Sequence, residues 1–397
     1  MSIFEKKTIM LNFDLYNPVH YYFGKDQETK LAQLIPAGAR VLLAYGGGSI
    51  FKNGVYDKVK AQLTGFECVE FGGIEPNPRF ETLIKAVNLI REHDLTFILA
   101  VGGGSVIDGV KFISAAVHFQ GDPIQILRER ILFTDPTKVV PFGTVLTLPA
   151  TGSEMNSGAV VTIEATHEKL VLGGSALFPK FSIADPTVIA SLPLRQLQNG
   201  VVDAFTHVME QYLTYQHGAL LQDRIAEGVL QTLVEIGPAV IANPSDYPLA
   251  SNFMWCCTMA LNGLLGKGVP VDWATHMIGH ELTAKFEIDH ARTLAIIGPN
   301  LYRVMHQEKE AKLAQYGRRV WNIQGFSDAE TANVAIDKTV AFFQELGVPT
   351  KLSDYTDQFE GTAELIAARF VERGWLALSD SQKVTPEKVI EIVKMSY

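Results

Sequence analysis

Hydrophobic positions change their period part-way along the chain, and the change predicts two kinds of architecture. Residues 41–45, 96–101 and 145–148 form short, mainly apolar runs that read as strands, and 67–71 reads as another. Between them, 50–63, 80–93 and 106–119 read as helices, the second through a stripe of Leu83, Ala86, Val87, Leu89 and Ile90. The 96–101 run lacks polar alternation after its first residue, as expected of a strand covered on both faces. A repeated strand–helix order predicts a parallel sheet with right-handed crossovers. Residues 160–163 and 169–172, around a polar centre, predict a β-hairpin. Beyond Pro186 strand signals become scarce and long amphipathic stretches take over: 201–213, 220–236, 250–264, 310–320, 329–346 and 363–373. The pattern therefore predicts an α/β domain over residues 1–186 and an all-α domain over 187–397.

Composition narrows the class. A chain of 397 residues that is 47% hydrophobic and 19% charged can bury sizeable cores, which excludes disorder and favours two domains. A net charge of -9 argues against nucleic acid or an anionic membrane as partner. Cys68, Cys256 and Cys257 have no CxxC spacing, so neither a disulfide framework nor a thiolate zinc site is expected, and a cytoplasmic setting fits. The first residues lack the apolar core of a signal peptide, and no run is expected to reach the length of a membrane span.

Two sets of residues carry candidate chemistry. Asp203 and His207 are four apart in a run with helical spacing, which puts both on one face. His276 and His280 repeat the spacing, and His290 follows. One carboxylate and several imidazoles suit a borderline divalent ion such as Zn²⁺ or Fe²⁺; the alternative for each residue alone is a satisfied core group. The second set is glycine-rich. Gly46, Gly47, Gly48 and Ser49 follow one strand, and Gly102, Gly103, Gly104 and Ser105 follow another, with Asp108 a turn further on. Such strand-to-helix turns expose backbone N–H groups to a pyrophosphate, although they also serve as plain tight turns. Thr147, Leu148, Thr151 and Ser153 stand at the end of the 145–148 strand, where open α/β sheets bind ligands.

Together these segments resemble the iron-containing (group III) alcohol dehydrogenase family over essentially the whole chain. The resemblance is carried by Gly102 to Asp108, Leu148 to Glu154, Ile183 to Pro186, Gly200 to His207, and Asp272 to Glu281 with His290. Residues 45–49, 71–78 and 270–273 are similar to its branch of NADPH-dependent aldehyde reductases and butanol dehydrogenases. What the resemblance implies is a Rossmann-like dinucleotide-binding domain, a dehydroquinate synthase-like helical domain, and a cleft between them. It implies Asp203, His207, His276 and His290 as metal ligands, with His280 beside the ion as a proton relay. The cofactor would be NADP(H), with Pro78 and Lys169 joining the glycine turns as contacts, and the reaction would interconvert short-chain aldehydes and primary alcohols. A homodimer pairing near residues 8–24 is the family's usual assembly. Glycerol-dehydrogenase and dehydroquinate-synthase relatives share a similar layout, but the Asp203, His207, His276, His280 and His290 pattern favours the alcohol dehydrogenase side.

The choice of NADPH over NADH rests on one position. NAD-using relatives place an Asp at the end of the first strand, where it accepts from the ribose 2′-OH and repels a 2′-phosphate. Here Gly46 and Gly47 stand there, with Ser49 and Lys52 just after. Glu70, at the end of the next strand, is the remaining acidic group that could reach the ribose.

Overall fold

The computed structural model describes residues 9–166, 168–215 and 218–397. The described residues divide into two compact units. One comprises Tyr16–Gln196 and Asn243–Asn262; the other comprises Leu197–Ala242, Gly263–Tyr397 and the described part of Met1–Leu15. The helix Tyr247–Ala260, expected with the second half of the chain, therefore belongs to the α/β unit.

The α/β unit is built on a six-stranded sheet. In chain order its strands are β1 (His20–Phe23), β2 (Arg40–Tyr45), β3 (Glu67–Phe71), β4 (Phe97–Gly103) and β5 (Phe142–Leu148); β6 (Gly158–Ile163) and β7 (Glu168–Gly173) form a separate hairpin, and β8 (Phe181–Ala184) returns to the sheet. The order across the sheet is β1-β8-β5-β4-β2-β3, and every neighbouring pair is parallel. Val41 to Ala44 and Phe97 to Val101 are at most 1% exposed, which is why neither strand needs polar alternation. The chain moves outward from β2 to β3, then crosses back to β4 on the other side of β2. That reversal opens a crevice at the carboxyl ends of β2 and β4, the place where such sheets take ligands.

Two local expectations need correction. Residues 50–63 do not form one helix. Short helices Ser49–Lys52 and Val55–Gln62 are separated at Asn53-Gly54, where Gly54 has φ +76°, a value glycine alone adopts without strain. The second correction concerns span length: the helix Leu220–Ala242 is long and apolar enough to cross a membrane. Its Asp223 and Glu227 are buried and pair with Lys312 and Arg319, so it behaves as a core helix of the helical unit. The core of that unit also gathers Phe205, Phe342 and Phe343, with ring centroids 5.4–5.5 Å apart around Phe205.

Candidate functional site

Three helices of the helical unit converge on the carboxylate–imidazole set. Leu194–Tyr212 carries Asp203 and His207, Ala274–Phe286 carries His276 and His280, and His290 is the first residue of His290–Val304. Gly279 lets the last two helices close up, since a Cβ there would lie 2.9 Å from Thr293 Oγ1. Asp203 Oδ1 lies 3.8 Å from His207 Nδ1 and 3.8 Å from His290 Nε2. The His207 and His276 rings stack with centroids 4.7 Å apart, and His276 and His290 are 5.1 Å apart. One donor atom each from Asp203, His276 and His290 lies within 4.8 Å of the other two. Two ligand atoms about 2.1 Å from one ion are about 3.4 Å apart in a tetrahedron, so this spacing suits a shared cation.

Burial supports the same assignment. Asp203 and His207 are each 4% exposed, and Asp203 Oδ1 and His207 Nδ1 have no hydrogen-bond partner among the described residues. Orphaned buried donors and acceptors are costly unless something fills them. Burial pushes the His207 imidazole down to about 4, against the upward pull of Asp203, so its lone pair is available near neutral pH. The donor set therefore fits a divalent ion. His280 lies beside the trio of Asp203, His276 and His290 without being one of its three donors, its ring 5.0 Å from His290 and 6.3 Å from His276.

A second layer of polar groups, which sequence reading passed over, fixes these helices. Asp289 precedes His290 and accepts from Asn199 Nδ2 at 2.8 Å, while Arg292 donates to Asn199 and Gln198 at 3.1 and 2.9 Å. Glu281 is held by Arg369 and Arg373 at 2.8 and 2.5 Å. Asp272 caps Ala274 N at 2.8 Å and pairs with buried Lys309 at 2.9 Å. Glu210 hydrogen-bonds His276 Nδ1 and accepts from Thr275 N at 2.6 Å; burial pushes its carboxyl up to about 8. The local trace of Glu210 was its spacing, three residues beyond His207 on the helix face that also carries Asp203.

In the α/β unit the glycine tracts meet at the crevice. Gly46 O accepts from Gly73 N at 3.1 Å and Tyr45 O from Ile74 N at 3.2 Å, which pins the 72–78 loop to the end of β2. Asn77 N then donates to Ser105 Oγ at 3.3 Å, and Lys169 donates to Asn77 at 3.0 Å. Pro78 O accepts from Thr162 N at 2.9 Å. The helix Gly104–Ala116 starts after Gly103 with no side-chain cap. Gly104 allows Thr151 to approach, since a Cβ there would sit 2.3 Å from Thr151 Oγ1. A Cβ on Gly103 would come within 3.0 Å of Leu148 Cβ, and Thr147 is buried at the end of β5.

Asp108 and Ser153 join the Gly104–Ala116 helix to the segment after β5. Ser153 Oγ donates to Asp108 Oδ1 at 2.5 Å, and Val160 N donates to Asp108 Oδ2 at 2.9 Å. Lys111, fully buried, donates to Ser153, Asn156 and Gly158 O. These hydrogen bonds fasten the 151–160 segment onto the Gly104–Ala116 helix. Glu70 is likewise engaged, accepting from Tyr45, Tyr56 and Lys60 at 3.2, 2.9 and 2.6 Å.

A sheet crevice shaped for a dinucleotide and a buried carboxylate–imidazole cluster define a metal-dependent, nucleotide-linked oxidoreductase. Family profiles agree in both halves: that of the iron-containing alcohol dehydrogenases matches residues 18–186, and that of their C-terminal domain matches 198–397. The chain belongs to the iron-containing alcohol dehydrogenase family. It is 49% identical to the NADPH-dependent aldehyde reductase YqhD of Escherichia coli, over 95% of this chain and 97% of that one. It is 41% identical to the probable NADH-dependent butanol dehydrogenase 1 of Bacillus subtilis, over 98% of this chain and all of the other. A crystal structure of Escherichia coli YqhD superposes with a TM-score of 0.95 and 46% identity, covering 98% of this chain and 100% of that one.

Proposed function

We propose that the protein is an NADP(H)-linked aldehyde reductase and alcohol dehydrogenase that interconverts short-chain aldehydes and primary alcohols such as butanal and butanol. The observation that carries this reading is the gathering of Asp203, His276 and His290 donor atoms within 4.8 Å of one another, with His207 Nδ1 3.8 Å from Asp203 Oδ1, from three helices. These four residues would hold a divalent ion, Fe²⁺ or Zn²⁺, and Asp203 with three neutral imidazoles leaves it a net positive charge. When bound, the ion supplies Lewis acidity at the substrate oxygen and the nicotinamide supplies hydride. The chain's own part is to bind and orient. The uncapped start of the Gly104–Ala116 helix receives the pyrophosphate, with Gly102 to Ser105 leaving the backbone open to it. Gly46 to Ser49, with Lys52, receive the adenosine end and its 2′-phosphate, while Pro78, Thr147, Leu148, Thr151 and Lys169 line the rest of the crevice. Asp108 and Ser153 keep that lining in shape. His280 relays a proton between the product oxygen and solvent, because an imidazole changes charge near working pH.

The test is NADPH oxidation with butanal, followed at 340 nm, on protein stripped of metal and then reconstituted with Fe²⁺ or Zn²⁺. Turnover should appear with metal and vanish without it; equal rates in both preparations would overturn the reading. Cytoplasmic residence and a homodimer are part of the proposal. Ile9, Leu11, Phe13 and Leu15 expose apolar side chains at alternate positions, as an arm awaiting a strand partner would. Deleting residues 1–15 should give a monomer by light scattering.

A further inference from the structure

We infer that Glu210 is a positioning residue that turns His276 toward the ion and fixes which of its nitrogens binds. The inference rests on the metal site just proposed and adds a residue to it. Asp203, His207 and Glu210 stand at i, i+4 and i+7 of the Leu194–Tyr212 helix, so a single rigid face carries all three. Glu210 is 2% exposed. Its carboxyl reaches across to the helix that carries His276 and holds it in two places, Oε1 accepting from Thr275 N at 2.6 Å and Oε2 hydrogen-bonding His276 Nδ1. The Glu210 backbone adds a third hold, its carbonyl accepting from Asp272 N at 2.8 Å.

The geometry suits an orienting role better than a capping role alone. The first N–H groups of a helix need acceptors, and Trp273, the residue at this helix's cap, supplies none from its side chain. Asp272 already accepts from Ala274 N. One oxygen of Glu210 completes the capping at Thr275; the other is left over, and it meets an imidazole rather than a backbone group. With Nδ1 engaged, whichever partner carries the proton, Nε2 is the nitrogen left for the ion. Carboxylate–imidazole pairs of this kind set the tautomer and basicity of metal-bound histidines. Two successive turns of one helix thus supply two ligands and the group that aims a third.

The experiment compares wild type with E210Q and E210D as purified proteins. Gln keeps the volume but offers one accepting oxygen for two donors; Asp keeps the charge but withdraws it from Nδ1. The measurements are Zn²⁺ affinity by competition with a chelator, the visible spectrum of the Co²⁺-loaded protein, and the Tm of each protein without metal. In E210Q the Kd for Zn²⁺ should rise about 10- to 100-fold. The Co²⁺ bands should shift, while the metal-free Tm stays close to that of metal-free wild type. E210D should fall between the two and gives the same reading if E210Q does not fold. Wild-type Zn²⁺ affinity in either folded variant, or a lowered metal-free Tm with unchanged affinity, would reduce Glu210 to a helix cap and overturn the inference. A wild-type protein that binds no Zn²⁺ would instead overturn the proposed metal site itself.

Discussion

Replacing Gly47 with Asp should convert the enzyme from NADPH to NADH. Of the three glycines that follow β2, Gly48 has φ +94°, where any side chain is strained, and a Cβ on Gly46 would lie 3.2 Å from the Ile74 carbonyl oxygen. A Cβ on Gly47 meets nothing within 4 Å, so the substitution should be accommodated without displacing a neighbour at Cβ. The new carboxylate would face the 2′-phosphate. At about 6 Å and an effective dielectric of about 20, each pair of unit charges repels by about 3 kcal/mol. That corresponds to roughly a 100-fold loss of kcat/KM with NADPH. NADH carries no phosphate there, and its ribose hydroxyl can donate to the Asp, which adds about 1 kcal/mol in its favour. In the wild type Glu70 accepts from Tyr45, Tyr56 and Lys60, which ties its carboxylate to β2 and the Val55–Gln62 helix. Against the upward push of burial, the Lys60 ammonium and the Tyr56 hydroxyl hold its carboxyl below the usual range. The assay is kcat/KM for both cofactors with butanal, at two ionic strengths, because salt should soften the repulsion. A wild type that prefers NADH, or a G47D variant that keeps its preference for NADPH, would refute the reasoning.

Three further substitutions probe other parts of the molecule. G104A would drive a methyl group to 2.3 Å from Thr151 Oγ1; overpacking of about 1–3 kcal/mol should weaken NADPH binding about tenfold in a fluorescence titration, and adding T151A should recover part of it. H207A should lose most of its metal by elemental analysis together with activity, and an active, metal-replete variant would remove His207 from the ligand set. Burial holds the Lys111 amine at about 8 against an ordinary 10.5. The unfolded chain therefore binds more protons between those values, and stability should rise with pH from about 8 to 10.5 by up to about 3 kcal/mol. Urea unfolding of K111M should show that slope flattened.

The legible parts of the fold are those fixed by local period. The buried strands β2 and β4 and the helical stripe of Leu83, Ala86, Val87 and Ile90 follow from spacing alone. The same holds for the Asp203 and His207 face. β1 escaped notice because four residues, with only Tyr21 and Tyr22 partly covered, carry too little alternation to register. Asn53-Gly54 was a visible break signal, outweighed by the apolar residues around it. Asp108 and Ser153 sat inside matching motifs, yet their partners, Val160 and Lys111, come from separate segments. Glu210 was hidden for a related reason: its importance lies in a contact to His276, 66 residues away, and no local pattern encodes a pairing at that range.

The two sites tolerate change by different physical rules. As proposed, the crevice would meet its ligand largely through backbone, so a side chain there matters by the space its Cβ takes. Gly104 and Gly47, both in glycine tracts, differ entirely in what a Cβ would encounter. Cofactor preference can therefore change at Gly47 without disturbing the cradle, which makes it reasonable that NADPH- and NADH-dependent proteins both stand among the relatives. The metal site works through side chains, and their aim depends on neighbours such as Glu210, Asp272 and Asn199. Substitutions in that second layer should alter the metal without altering which nicotinamide is used. Variation in this family should therefore be permissive at the adenosine end and restrictive around the three converging helices.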